Sequence, residues 1–125
     1  DMGVMEEDGF IRLVSRIKEI IITGGFNVYP AEVEEAIAQH PDVVDVAAVG
    51  RPRQDGSEDV VGCVTLRDGA VLDPEGLKEF CRERLTRYKV PRTFYHFEDL
   101  ARDHLGKIRR HQVRKDLLEL LEAKA

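Results

Sequence analysis

Two apolar runs, Val43 to Val49 and Val60 to Leu66, lie either side of Arg51-Pro-Arg-Gln-Asp-Gly56, a stretch rich in turn residues. Short apolar runs bounded by turn signals read as strands. Segments with helical signals flank them. Pro30 suits a first helical position, and Glu32, Glu34 and Glu35 favour the positive N-terminal end of that helix. Val33, Ala36 and Ile37 give it an apolar stripe, and His40-Pro41 stops it. Asp73-Pro74-Glu75 opens a second helix, with Asp73 as N-cap and Pro74 at N1. Leu77, Phe80, Cys81 and Leu85 then recur at helical spacing until Lys89-Val90-Pro91 breaks it. Thr93 to Phe97 reads as a strand. Gln112 to Leu121 reads as a final amphipathic helix with Val113, Leu117, Leu118, Leu120 and Leu121 apolar.

Towards the N-terminus, Phe10 to Val14 alternates apolar and polar residues after the Asp8-Gly9 turn and predicts a strand. Ile20-Ile21-Ile22 predicts a second, with Arg16 to Glu19 as the turn between them. Thr23-Gly24-Gly25-Phe26-Asn27 is expected to be a loop, where paired glycines permit backbone conformations closed to other residues. The order β-β-α-β-β-α-β-α predicts an α+β class. The expected architecture is a compact domain with a small β-sheet flanked by about three helices, preceded by a short antiparallel two-stranded hairpin.

The bulk properties agree with one domain. A chain of 125 residues has the length for a single modest core, and without Trp that core must be mostly Val, Ile and Leu. No apolar run approaches the roughly 20 residues of a transmembrane helix, and no signal-peptide pattern opens the chain. Cys63 and Cys81 sit in apolar or helical contexts without a Cys-x-x-Cys pattern, so buried, reduced thiols are expected, with no metal site. That suits a cytoplasmic protein. The net charge of −5 conceals an acidic start (Asp1, Glu6, Glu7, Asp8) and two basic stretches. One contains Arg82, Arg84, Arg87, Lys89 and Arg92, the other Arg102, Lys107, Arg109, Arg110, Arg114 and Lys115. Most of these side chains read as solvated faces. The remainder suit a polyanion, and composition does not separate phosphate groups from nucleic acid.

Three segments carry more than local information: Asp8-Gly-Phe-Ile-Arg-Leu-Val-Ser-Arg16-Ile-Lys18, Thr23-Gly-Gly-Phe-Asn-Val-Tyr-Pro-Ala-Glu32, and Leu105-Gly106-Lys107-Ile108. Each alone is weak; Gly-Lys by itself is an ordinary solvated cation in a basic run. In this order, and with the Tyr88-Lys-Val-Pro91 link, they resemble the C-terminal domain of the adenylate-forming superfamily, the AMP-forming acyl-CoA synthetases and their kin. The phrase running from Ile20 to Pro30 is most similar to long-chain fatty-acid–CoA ligases.

The resemblance implies an enzyme fragment, inactive alone. The full enzyme joins a carboxylic acid, of fatty type, to the α-phosphate of ATP (with Mg2+, bound mainly by a large N-terminal domain). It then passes the acyl group from AMP to the thiol of CoA. Residues 1–17 are implied to be the end of the large domain's linker and the start of the hairpin, and 18–125 the mobile C-terminal domain, with Lys18 as hinge. Lys107 is the implied catalytic lysine of adenylation, and Asp1, Arg16 and Lys107 the ATP/AMP-binding residues. Gly24, Gly25 and Phe26 form the implied thiolation loop, with Tyr88 and Arg92 near the nucleotide end of CoA. Glu32 matches a recurrent acidic position, although a carboxylate favouring the helix N-terminus would look the same. The sequence departs from the family in one place: Leu100-Ala-Arg-Asp103 stands where Leu-Pro-Arg-Thr is usual. The usual loop stiffness and polar contacts are therefore not carried over, whereas the lysine is.

Two other readings remain open at this point. One is an adenylating domain that loads a carrier protein. The other, from a different class, is a stand-alone nucleic-acid- or protein-binding module. The negative charge and the lack of an aromatic pair on a candidate strand speak against nucleic acid as a partner.

Overall fold

The computed structural model describes residues 19–123. Strands β1 (Ile21–Thr23) and β2 (Phe26–Val28) form an antiparallel hairpin, followed by helix α1 (Pro30–Ala38). Strands β3 (Val43–Pro52) and β4 (Glu58–Leu66) pair antiparallel, and helix α2 (Pro74–Arg82) and a 3-10 turn (Arg87–Lys89) lead to β5 (Thr93–His96). Helix α3 (Arg110–Ala123) closes the described chain. The larger sheet has the order β3-β4-β5, with β5 parallel to the central β4. The class is α+β, as the sequence predicts.

Register explains why β3 and β4 are almost continuously apolar. Ala47 pairs with Cys63 and Val49 with Val61, and these side chains meet Val113 and Leu117 of α3 on one face. Val46 pairs with Val64 and Gly50 with Val60 on the other, where Ile37 of α1 and Leu77 of α2 pack. Both faces are covered, so neither set of alternating positions can be polar. The hairpin joins the second cluster through Ile21 and Val28, both buried.

Helix starts follow their signals. Pro30 and Pro74 lie in the first turns of α1 and α2, and the Asp73 carboxylate accepts the Gly76 N–H at 3.1 Å. α2 ends at Arg82, and Leu85, predicted to extend its stripe, instead packs half-buried from the following turn.

The described hairpin corrects the reading of the loop that follows Ile22. Its members are Ile21–Thr23 and Phe26–Val28, and the predicted Gly24-Gly25 loop is its two-residue turn. Both glycines have positive φ (+55° and +85°), the combination that matches the right-handed twist of flanking strands and lets three-residue strands pair. Asn27, expected in the loop, pairs with Ile22. The expected strand Phe10–Val14, and the residues Asp1, Arg16 and Lys18, lie outside the described residues.

Candidate functional site

Lys107 sits on a short loop between β5 and α3. Leu100, buried, anchors the approach, and Arg102 and Ile108 form an isolated antiparallel bridge across the loop's base. The Arg109 N–H donates to the Ala101 carbonyl at 2.8 Å, extending that base by one step. Within the loop, the Asp103 N–H donates to the Lys107 carbonyl at 2.8 Å and the Gly106 N–H to the Asp103 carbonyl at 3.0 Å. Asp103 Oδ1 accepts two more backbone N–H groups, from Leu105 at 2.8 Å and Lys107 at 3.0 Å. These bonds, the Lys107 N–H foremost, hold the Asp103 carboxyl below the usual carboxylate range. Gly106 at φ +86° makes the reversal, a torsion other residues adopt only with strain.

Arg102 ties the loop to the sheet. Its Nη1 donates to the Gly106 carbonyl at 2.9 Å, and its Nη2 pairs with Asp45. Asp45 lies at a register shift in β3, where the Thr65 hydroxyl accepts its N–H at 3.0 Å. Bulges of this kind re-aim a side chain, here beside the loop. The Lys107 side chain itself is exposed.

Lys107 lines an open cleft of about 520 Å³ with Glu19, Ala31, Glu34, Arg102 and Arg110 among its walls. Arg110 grips Glu34 through two bonds of 2.6 Å and reaches Glu19 Oε1 at 2.9 Å. Glu34 Oε2 also accepts the Ala48 N–H of β3 at 2.8 Å. The bonds to Glu34 first, then its charge and that of Glu19, raise the Arg110 pKa still further. Arg114 is similarly engaged, donating to the Gly50 carbonyl at 2.7 Å and to Glu58 at 3.2 Å. The expectation of a solvated basic face is thus corrected for Arg110 and Arg114, both half-buried, whereas Arg102 stays exposed. Arg110 and Arg114 are structural partners of carboxylates and carbonyls, because the α3 side chains cross to β3 and α1 rather than into water.

The hairpin turn and the Tyr88 link form a second cleft. Thr23, Gly24, Phe26, Arg87, Tyr88 and Arg92 line a space of about 470 Å³. Phe26 and Tyr88 stack with ring centroids 4.4 Å apart at 22°. An added Cβ on Gly24 or Gly25 would meet nothing within 4 Å, so the turn's outer surface is open. Glu32 serves the link behind it, pairing with Lys89 Nζ at 2.9 Å, and that hydrogen bond raises the Lys89 pKa. The Arg92 N–H donates to the Val60 carbonyl at 2.8 Å, and its Nε lies 3.7 Å from Asp59. On the far side of Arg92 a strongly basic cleft is lined by Lys78, Arg82, Arg87 and Arg92.

The predicted residues therefore fall into two places. Gly24, Phe26, Tyr88 and Arg92 share one cleft, with Gly25 beside it in the turn, and Lys107 lines another. The two clefts have no lining residue in common. Glu32 lines neither. Sequence reasoning missed Asp103, Asp45 and Glu34 as supports; the one available signal was an Asp set two residues before a loop N–H, the pattern of an Asx-turn.

Residues 32–107 match the model of the AMP-binding enzyme C-terminal domain. The chain is 43% identical over 125 residues to a long-chain-fatty-acid–CoA ligase of Salmonella typhimurium, covering all of this chain and 22% of that protein. Among solved structures it resembles Mycobacterium tuberculosis fatty acyl CoA synthetase, with a TM-score of 0.75 and 37% identity over 81% of this chain and 20% of that one. It resembles ATP-bound MatB from Rhodopseudomonas palustris equally, with a TM-score of 0.75 and 33% identity over 82% and 20% of the respective chains. The chain spans about a fifth of the length of these relatives. With its Gly-Lys loop, its glycine hairpin and this sequence match, the chain belongs to the AMP-binding enzyme C-terminal domain family.

Proposed function

We propose that this chain is the mobile C-terminal domain of an ATP-dependent, AMP-forming acyl-CoA ligase, and that it serves two half-reactions with two different faces. The observation that carries this reading is the separation of the Lys107 cleft from the Gly24–Phe26 and Tyr88 cleft on one packed framework. A single fixed orientation would present one of them to an active site and leave the other outside. Rotation about Lys18 presents each in turn, a change that hinge residues absorb in a few torsions.

In the first half-reaction the Lys107 ammonium lies between the substrate carboxylate and the α-phosphate of ATP. It offsets their repulsion and stabilises the negative charge of the pentavalent transition state, an effect of roughly several kcal/mol in a site that excludes water. Asp1 and Arg16 are assigned to the ribose. Mg2+ accompanies the ATP and is assigned to the large N-terminal domain. In the second half-reaction the Gly24-Gly25 turn lies along the thiol-bearing arm of CoA, where its open, Cβ-free surface permits close approach. The phosphates at the nucleotide end of CoA suit Arg92 and the neighbouring Lys78, Arg82 and Arg87. The acid is assigned to the fatty class because the Salmonella relative carries that name.

In the full-length enzyme, Lys107→Ala is expected to slow acyl-adenylate formation about 10²-fold or more, the usual size for one electrostatic stabiliser. Acyl-CoA formation from supplied acyl-adenylate should persist. Equal loss in both half-reactions would overturn the division of labour, as would transfer to a carrier protein in preference to CoA overturn the acceptor.

A further inference from the structure

We infer that Asp103 is a positioning residue for Lys107, its carboxylate ordering the backbone that carries the lysine; this inference rests on the adenylation role proposed for Lys107. Lys107 has both of its backbone polar groups engaged by this one residue. Its N–H goes to Asp103 Oδ1 at 3.0 Å, and its carbonyl accepts the Asp103 N–H at 2.8 Å. The Lys107 Cα is thereby pinned on either side, and only the side chain is left to move.

The same carboxylate oxygen holds the Leu105 N–H at 2.8 Å, so the turn from Asp103 to Lys107 is organised around one atom. No other side chain of the loop makes these bonds. Its other residues are His104, Leu105, which is exposed, and Gly106, which has no side chain. The loop's second anchor is separate: Arg102 reaches the Gly106 carbonyl at 2.9 Å and Asp45 on β3. Arg102 therefore fixes the loop to the sheet, whereas Asp103 fixes Lys107 within the loop. Because Asp103 is half-buried but packs against no hydrophobic cluster, its removal should spare the core.

A lysine acting on a pentavalent phosphorus must reach one point, and misplacements of about 1 Å cost up to about 10² in rate. Removing the Asp103 carboxylate releases the Leu105 and Lys107 N–H groups to water, leaves the backbone bond between the Asp103 N–H and the Lys107 carbonyl, and so frees Lys107 on one side. The effect belongs to the half-reaction that uses Lys107 and not to the one that uses the hairpin turn.

The test uses the full-length enzyme and measures the two half-reactions separately, together with thermal unfolding. Asp103→Ala should slow acyl-adenylate formation about tenfold or more, in turnover rather than in the KM for ATP. Thioester formation from supplied acyl-adenylate and the melting temperature should stay near those of the parent. Asp103→Asn keeps an acceptor oxygen at the same reach and should restore most of the rate; Asp103→Thr should restore part, since a hydroxyl makes the same local bond more weakly. Unchanged adenylation in Asp103→Ala alongside an impaired Lys107→Ala would overturn the inference and leave the function intact. Equal loss in both half-reactions with a lowered melting temperature would also overturn it, showing a general structural role. Failure of Lys107→Ala to affect adenylation would sink the underlying reading instead.

Discussion

Gly25 has a φ of +85° at the second position of the β1–β2 turn, and an added Cβ there would meet no atom within 4 Å. Replacement is therefore opposed by torsion alone. Gly25→Ala should cost about 1–2 kcal/mol, the usual penalty for a left-handed L-residue, read as a lower denaturant midpoint with an unchanged slope. Gly25→Asn should recover part of that loss, because asparagine tolerates this region better. If Ala and Asn variants were equally stable, the turn would have relaxed to another type. Gly24, at +55°, lies closer to the ordinary left-handed basin and should tolerate Asn better still. The distinction matters for function: a variant carrying Asn keeps the turn but fills the open surface assigned to the thiol-bearing arm.

Among elements, packing is close where Gly62 of β4 lies against Phe94 of β5 and Ile37 of α1. A Cβ on Gly62 would lie 2.8 and 2.9 Å from two ring carbons of Phe94 and 3.3 Å from Ile37 Cδ1. Phe94 and Ile37 are themselves buried, so neither can swing away freely. Gly62→Ala should destabilise the chain by about 1–3 kcal/mol through overpacking. Combined with Phe94→Leu, it should cost less than the sum of the single changes, because the smaller side chain vacates the clash; strict additivity would show the contact to be unimportant. Legibility from sequence also varies by element. The β3 and β4 runs and both proline-led helices are plain, since burial on two faces and capping each leave a residue pattern. The ends of β3 and β4 are not, because Arg51–Asp59 and Pro52–Glu58 continue a backbone ladder that needs no apolar side chains. The strand Phe26–Val28 reads as loop in its first two residues because three-residue strands are too short to show alternation, and Phe26 and Asn27 are both exposed. The role proposed for Lys107 is read only by resemblance. Its support is not read at all: the Arg110–Glu34 grip joins residues 76 apart in the chain, and no spacing rule pairs them.

Over the whole molecule, the sheet separates two hydrophobic clusters, and each holds one thiol: Cys81 beside the hairpin, α1 and α2, and Cys63 beneath α3. Burial pushes Cys63 up to about 12. Burial also pushes Cys81 up, to about 11, with the Arg84 cation opposing it. Both thiols stay neutral in the fold, whereas an unfolded chain ionises them in the ordinary thiol range near about 8.5. Above that range the unfolded state binds fewer protons than the native state, so stability falls as pH rises. The contribution is present in full below the unfolded value and is lost on the way to about 11 for Cys81 and about 12 for Cys63. Within that window each thiol lowers the unfolding free energy by up to about 1.4 kcal/mol per pH unit. Because β3 and β4 contribute to both clusters, loss of one face exposes the other, and alkaline unfolding should be a single transition. Denaturant midpoints measured from pH 8 to 11 should therefore decline, and Cys63→Ala, though less stable at pH 8, should decline less steeply. A Cys63→Ala variant as steep as its parent would show that the thiol beneath α3 ionises without unfolding, and that α3 lifts from the sheet independently of the rest.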